Sequence, residues 1–227
     1  MCGRFVAATD PDGLARFFVV DERHDGDVAA SYNVAPTDTV RAIAEHGGRR
    51  HLVALRWGLV PHWSDGSRSG PPLINARRET AAERPAFRDA LRRRRCLVPA
   101  DGFYEWLRHD DGGRTPYFVH PTDRPAFAFA GLWDVWRDPQ SPDAPPLRSC
   151  TILTTAAEAS LEQLHGRMPV VLPAASWDAW LDRDTTDAEA VRGVLDAATP
   201  GSIAWHEVSA LVNAPRNDTP ELVEPVA

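Results

Sequence analysis

The sequence predicts an α+β fold: a single domain, mainly an antiparallel sheet curled toward a barrel, with helices on its flanks. Short apolar runs at 52–57, 96–99, 116–120, 126–132, 149–154, 169–172 and 203–208 have strand length and are separated by turn-forming residues. Helical periodicity is confined to a few short segments before and between them. The chain has 227 residues and is 43% hydrophobic, enough for a substantial core in one large domain. No segment reads as a linker, so the domain is expected to span 1–227, with 214–227 as a C-terminal tail.

Along the chain, Thr9 or Asp10 is placed to cap a short helix that has Pro11 in its first turn and runs through Leu14 and Phe17. Residues 21–27 read as a charged loop and 31–37 as an extended segment broken at Pro36. The strand at 52–57 ends at Gly58, and loop chemistry fills 61–72. Residues 85–95 predict a helix, with Phe87 and Leu91 at i, i+4 and arginines on its other faces. Residues 109–115, and 138–146 with its four prolines, read as surface insertions. The acidic stretch 182–189 leads into a helix running through Val194.

The chain contains no lysine; all 25 of its basic residues are arginine. Its net charge is −7, unevenly placed: residues 49–95 carry 12 arginines against four acids, and both flanks are acidic. Such a segment is what an anion-binding face would look like, and solvated helix faces produce the same asymmetry. Three cysteines without a CxxC or Cys/His cluster point to neither a disulfide framework nor a zinc site. No metal or cofactor is expected. The absence of a long apolar run or a secretory pattern predicts a soluble cytoplasmic protein without a membrane partner, and nothing demands more than a monomer.

With lysine absent, removal of Met1 would leave the α-amine of Cys2 as the amine available for chemistry. That amine titrates at about 7.7–8 and an ordinary thiol at about 8.5, so one residue would carry two nucleophiles, each partly reactive at neutral pH. Amine and thiol two carbons apart can condense with an aldehyde, first as a Schiff base and then by thiol addition to a five-membered thiazolidine. Equally, Cys2 could simply pack, as free cysteines often do.

Four strings place further chemistry at predicted loops or strand ends. In 74–79, Asn75 can hold a carbonyl or hydroxyl and Arg77 can clamp a phosphate, unless Asn75 caps a helix followed by exposed arginines. In 98–106, Glu105 sits between Tyr104 and Trp106, which suits proton transfer unless it faces solvent from an alternating strand. In 164–169, His165 lies in a tight loop beside Arg167. In 56–63, Trp57 reads as core, and Trp63, in a polar loop, as an aromatic for base stacking.

Taken together, MCGRF at the start, YNVAPT at 32–37, RWGLVPHW at 56–63, INARRET at 74–80, RRCLVPADGFYEW at 94–106, FAFAGLW at 127–133, TILTT at 151–155 and HGRMPVVL at 165–172 resemble the SRAP (SOS response-associated peptidase) family. That family includes abasic-site DNA–protein cross-linking proteins of bacteria and animals, and the resemblance runs from Cys2 to about Asn213. It implies a sensor of abasic sites in single-stranded DNA that cross-links through Cys2, nucleoid-associated when bound. Carried over, Asn75 orients the reacting group, and Glu105 and His165 handle protons. Arg4, Arg77 and Arg167 hold phosphates, Trp63 is an aromatic wedge, and Asn33 and Pro36 belong to the loop near Cys2. Gly166 departs from the family's usual polar residue and is expected to loosen the His165 loop. Two other readings stand beside this one: a thiol or auto-peptidase using Cys2, His165 and Glu105, and a non-covalent single-strand binder.

Overall fold

The computed structural model describes residues 2–66 and 70–226. In chain order these form β1 (Phe5–Ala7), α1 (Pro11–Phe18), β2 (Glu22–His24), β3 (Ser31–Val34), β4 (Thr39–His46), β5 (Arg49–Trp57), β6 (Asn75–Arg77), α2 (Pro85–Arg93), β7 (Arg95–Ala100), β8 (Gly102–Arg108), β9 (Arg114–Pro121), β10 (Phe127–Trp136), β11 (Leu147–Ala156), β12 (Arg167–Pro169), α3 (Trp177–Leu181), α4 (Ala188–Asp196) and β13 (Ile203–Glu207). Strands β11, β10, β7, β4 and β5 follow one another in a sheet that closes on itself. The closing pair is parallel, with Ser149 opposite Arg56 and Cys150 opposite Trp57. A second sheet, in the order β13-β9-β8-β1-β3, is antiparallel throughout. The barrel-like α+β architecture is therefore as the strand spacing predicts.

The two sheets meet at a corner between β7 and β8. Asp101 makes it: its carboxylate accepts from the Ala8 and Thr9 amides at 2.7 and 2.9 Å and from the Thr9 hydroxyl at 2.5 Å. The next residue has to be glycine, because a Cβ on Gly102 would stand 2.4 Å from the Phe118 ring and 2.5 Å from the Val119 carbonyl. Phe5, Trp57, Phe103, Phe127 and Phe129 fill the space between the sheets, with Phe5 edge-on to Trp57 at 5.0 Å. Cys2, Cys96 and Cys150 are buried free thiols in this same cluster.

The helices cover the outer face of the barrel, where Leu14, Phe18, Leu91, Trp177 and Trp180 pack together. Asp10 caps α1, accepting from the Gly13 amide at 2.8 Å, and Pro11 opens it. Helix α2 stops at Arg93, short of the expected Arg95, because Arg95 is drawn into β7. There its buried guanidinium donates to the carbonyls of Leu91 and Arg92 at the end of α2 and to those of Trp180 and Asp182 at the end of α3. One cation satisfies two helix C-termini.

Strands β1, β2, β4 and β6 form outside the apolar runs that predict strands. β2 lies inside the expected charged loop at 21–27, and β4 carries an inward Arg41 that interrupts its apolar pattern. Arg41 Nε donates to the buried Asp25 at 2.8 Å. Burial alone would raise the Asp25 carboxyl, but the hydrogen bonds from Arg41 and Arg23 outweigh it and leave it below its usual value. That stabilisation is present above about pH 3.9 and is lost as pH falls through the depressed folded-state value. Asp25→Ala, which strands Arg41, is expected to cost about 3 kcal/mol at pH 7 in urea denaturation. The deficit should shrink at pH 3, and an equal deficit at both would mean the pair is not the cause.

The expected insertion at 109–115 is the tight β8–β9 turn, closed by the His109 amide on the Gly113 carbonyl at 3.0 Å. The expected tail at 214–226 is tied into the fold. The Asn33 amide donates to the carbonyls of Val212, Ala214 and Asn217, Asp218 accepts from the Tyr32 amide, and Leu222 is buried. Among the described residues no helix is long and apolar enough to cross a membrane.

Candidate active site

The start of the chain enters the space between barrel and second sheet because β1 pairs with β8: the Tyr104 amide donates to the Arg4 carbonyl at 3.0 Å, and Phe5 lies opposite Phe103. Cys2 is fully buried there. Its Sγ–H donates to the Arg4 carbonyl at 3.8 Å, and its own carbonyl accepts from Asn75 Nδ2 at 2.7 Å. Asn75 is not a helix cap: it opens β6, parallel to β11 with Ile152 alongside. The Ile74 carbonyl just before it accepts from the Ile152 amide at 3.0 Å and from Trp57 Nε1 at 2.9 Å. The Asn75 amide therefore projects toward Cys2 from a rigid frame.

Glu105 lies on β8 opposite Tyr117 and is 5% exposed, which overturns the solvent-facing alternative. Burial raises its carboxyl above the usual range, toward neutrality. Burial also pushes the Cys2 thiol well up, and the negative charge of Glu105 adds to the effect. The expectation of a partly ionised thiol at neutral pH is thus corrected: the thiol is held protonated until its proton can be taken or the local charge changes.

His165 is half-buried, and its Nδ1 accepts from the Arg167 amide at 2.9 Å. With Nδ1 accepting, the neutral ring carries its proton on Nε2. Burial lowers its pKa, with Arg108 adding to the effect. Arg108 also acts on Glu105, so the end of β8 bears on both titratable groups. Gly166 does not free this loop. Its carbonyl accepts from the Ala157 amide at 3.1 Å, and its Cβ position faces open space, so a side chain there is dispensable to the loop.

The remaining candidates divide by exposure. Arg77 is exposed, beside Thr154 on β11. Trp63 is 57% exposed on a loop pinned to the end of β10, where Asp134 accepts from the His62 amide at 2.9 Å and Trp136 Nε1 donates to the Ser64 carbonyl at 2.7 Å. Arg4 and Asn33 instead face inward, and Arg4 Nη2 donates to the Val212 carbonyl at 2.7 Å. Arg167 makes a two-pronged ion pair with Glu79 at 2.8 and 2.9 Å and donates to the Thr154 carbonyl at 2.6 Å. Half-buried Pro36 precedes Thr37, whose amide donates to the Trp57 carbonyl. The basic middle segment is not one face: Arg49, Arg50, Arg78 and Arg94 pair with Glu22, Asp178, Asp196 and Asp134, and Arg95 is buried.

Residues 1–215 match the family described as SOS response associated peptidase (SRAP). The chain belongs to the SRAP family. It is 39% identical to the abasic site processing protein YoqW of Bacillus subtilis (strain 168), over 99% of each chain. It is 33% identical to YedK of Escherichia coli (strain K12) over all of both, and 31% identical to HMCES of Gallus gallus over 100% of this chain and 78% of that one. Both of these are also named abasic site processing proteins. In fold it is similar to a crystal structure from Bacteroides thetaiotaomicron with a TM-score of 0.83 at 22% identity, covering 100% of both chains. In this SRAP chain, sequence reasoning passed over Asp101, Glu79 and Arg108. Asp101 and Glu79 stand inside strings already singled out, but their work is to turn a corner and to hold Arg167, and spacing does not signal either.

Proposed function

We propose that this chain recognises an abasic site in single-stranded DNA and, after Met1 is removed, joins Cys2 to the sugar aldehyde as a thiazolidine cross-link that shields the lesion. Met1 itself lies outside the described residues. The observation that supports this reading best is the Asn75 hydrogen bond to the Cys2 carbonyl at 2.7 Å, beside a buried Glu105. It fixes the residue that carries both nucleophiles by its backbone and leaves its amine and thiol to react. The names of the full-length relatives point the same way.

In this reading the closed sugar opens as the imidazolium form of His165 gives a proton to the ring oxygen while the C1′ hydroxyl loses its proton to water, exposing the C1′ aldehyde. The Cys2 amine attacks C1′, and Glu105 relays the two amine protons to the former aldehyde oxygen, which leaves as water to give the imine. The thiol then adds: sulfur bonds to C1′ and its proton ends on nitrogen. One water is released overall. A protonated thiol suits this order, since it can hand its proton to the imine nitrogen as sulfur bonds to C1′. Trapping the imine prevents the β-elimination that would break the strand.

Arg77 is the phosphate contact and Trp63 the stacking wedge, while Arg4, Asn33 and Pro36 fix the backbone around Cys2. Arg167 reaches a phosphate only by exchanging Glu79 for it. Asn75→Ala and His165→Ala should each slow adduct formation, by about tenfold to a hundredfold, with DNA binding retained. Wild-type rates in single-turnover gels would remove both from the mechanism. Arg77→Ala should weaken binding across sequences and reduce the salt slope by about one. An unchanged slope would mean it touches no phosphate.

A further inference from the structure

On the barrel edge, away from Cys2, three side chains from two strands converge: Glu22 and His24 on β2, and His51 on β5. Their pairing is parallel, with Glu22 opposite His51. Residues 22 and 24 project to one face of β2, so both meet the His51 ring. One oxygen or nitrogen from each lies within 4.8 Å of the others. Glu22 Oε2 is 3.3 Å from His24 Nε2 and 3.6 Å from His51 Nδ1. Donors bonded at about 2.0–2.1 Å to a tetrahedral ion stand about 3.3–3.4 Å apart.

The outer contacts fit as well. The other nitrogen of His51, Nε2, lies 3.2 Å from the His46 carbonyl, which sets Nδ1 as the inward-facing donor. The other oxygen of Glu22 is held by Arg49, leaving Oε2 for the centre. Two imidazoles and one carboxylate suit zinc rather than calcium or magnesium, which prefer all-oxygen shells. His24 is half-exposed, so the fourth position opens to water.

We propose that Glu22, His24 and His51 form a zinc site that staples the edge strand β2 to β5. β2 has three residues and, among the described residues, pairs with β5 alone, so the ion would secure a short edge strand of the sheet. His51 is six residues from Trp57 on β5, about 20 Å along the strand, so the site is separate from Cys2 chemistry. The absence of Cys-based metal spacing in the sequence did not exclude it, because the ligands come together only through strand pairing.

The test is titration of the EDTA-stripped, reduced full chain with zinc chloride by calorimetry, alongside thermal unfolding. One zinc per chain and a raised Tm are expected. His24→Ala and Glu22→Gln, both at the surface, should each weaken binding by about tenfold or more and remove the Tm gain, with circular dichroism unchanged. Cobalt in place of zinc should give tetrahedral visible bands without a thiolate charge-transfer band. No saturable binding, binding in both variants as tight as in wild type, or a thiolate band would each overturn the proposal.

Discussion

Cys2→Ala should abolish every adduct that survives denaturation while leaving the amine chemistry in place. After Met1 removal the alanine variant still presents an α-amine, and the Asn75 hydrogen bond falls on the backbone carbonyl, which the substitution does not alter. The imine should form, and without sulfur it can only hydrolyse or eliminate. The expected result on a single-stranded oligonucleotide with one abasic site is therefore loss of the SDS-stable band, a borohydride-trappable band in its place, and more strand scission than with wild type. Non-covalent binding alone would leave wild type and variant indistinguishable. Trans-cleavage of a protein substrate, lost in Cys2→Ala, would instead support the peptidase reading.

Glu105→Gln should slow cross-linking by about a hundredfold to ten-thousandfold, the range for loss of a general base. The pH profile separates this from a packing effect. Deprotonation of the Cys2 amine alone gives a rate that falls with a slope of one below about pH 8. Burial raises the Glu105 carboxyl, so a second proton should steepen the wild-type limb at a pH above the ordinary carboxylate value. The glutamine variant keeps only the amine limb. Stability should move the other way. A carboxyl with a raised folded-state pKa favours the fold below its unfolded value, and that contribution is lost as pH rises through the folded value. At pH 7–8 the variant should therefore melt higher than wild type while reacting more slowly. A slower variant that is also less stable, with the steep limb intact, would make Glu105 a structural residue.

Much of the barrel was legible because its strands are apolar runs punctuated by proline and glycine, and α1 because Asp10 and Pro11 announce its start. Among the strands that were missed, β2 and β4 have side chains that serve other contacts. β4 buries Arg41 against Asp25, and β2 is three polar residues held by parallel pairing to β5. The position of Cys2 could be named from its chemistry, but its protonated thiol comes from burial in the core between the sheets, with the charge of Glu105, from a strand a hundred residues later, adding to it. Exposure of the arginines was the least legible feature. Arg77 and Arg167 flank the same strand, yet Glu79 occupies one and leaves the other exposed, a difference only the fold decides.

The most direct measurement is the intact mass of the denatured product from purified protein and a single-stranded oligonucleotide bearing one abasic site. The expected mass is that of the chain without Met1 plus the oligonucleotide less one water, unchanged by borohydride, with fragmentation placing the bond at Cys2. An adduct that retains Met1, maps elsewhere, or shifts on reduction, or the absence of any adduct, would contradict a thiazolidine formed by the N-terminal cysteine.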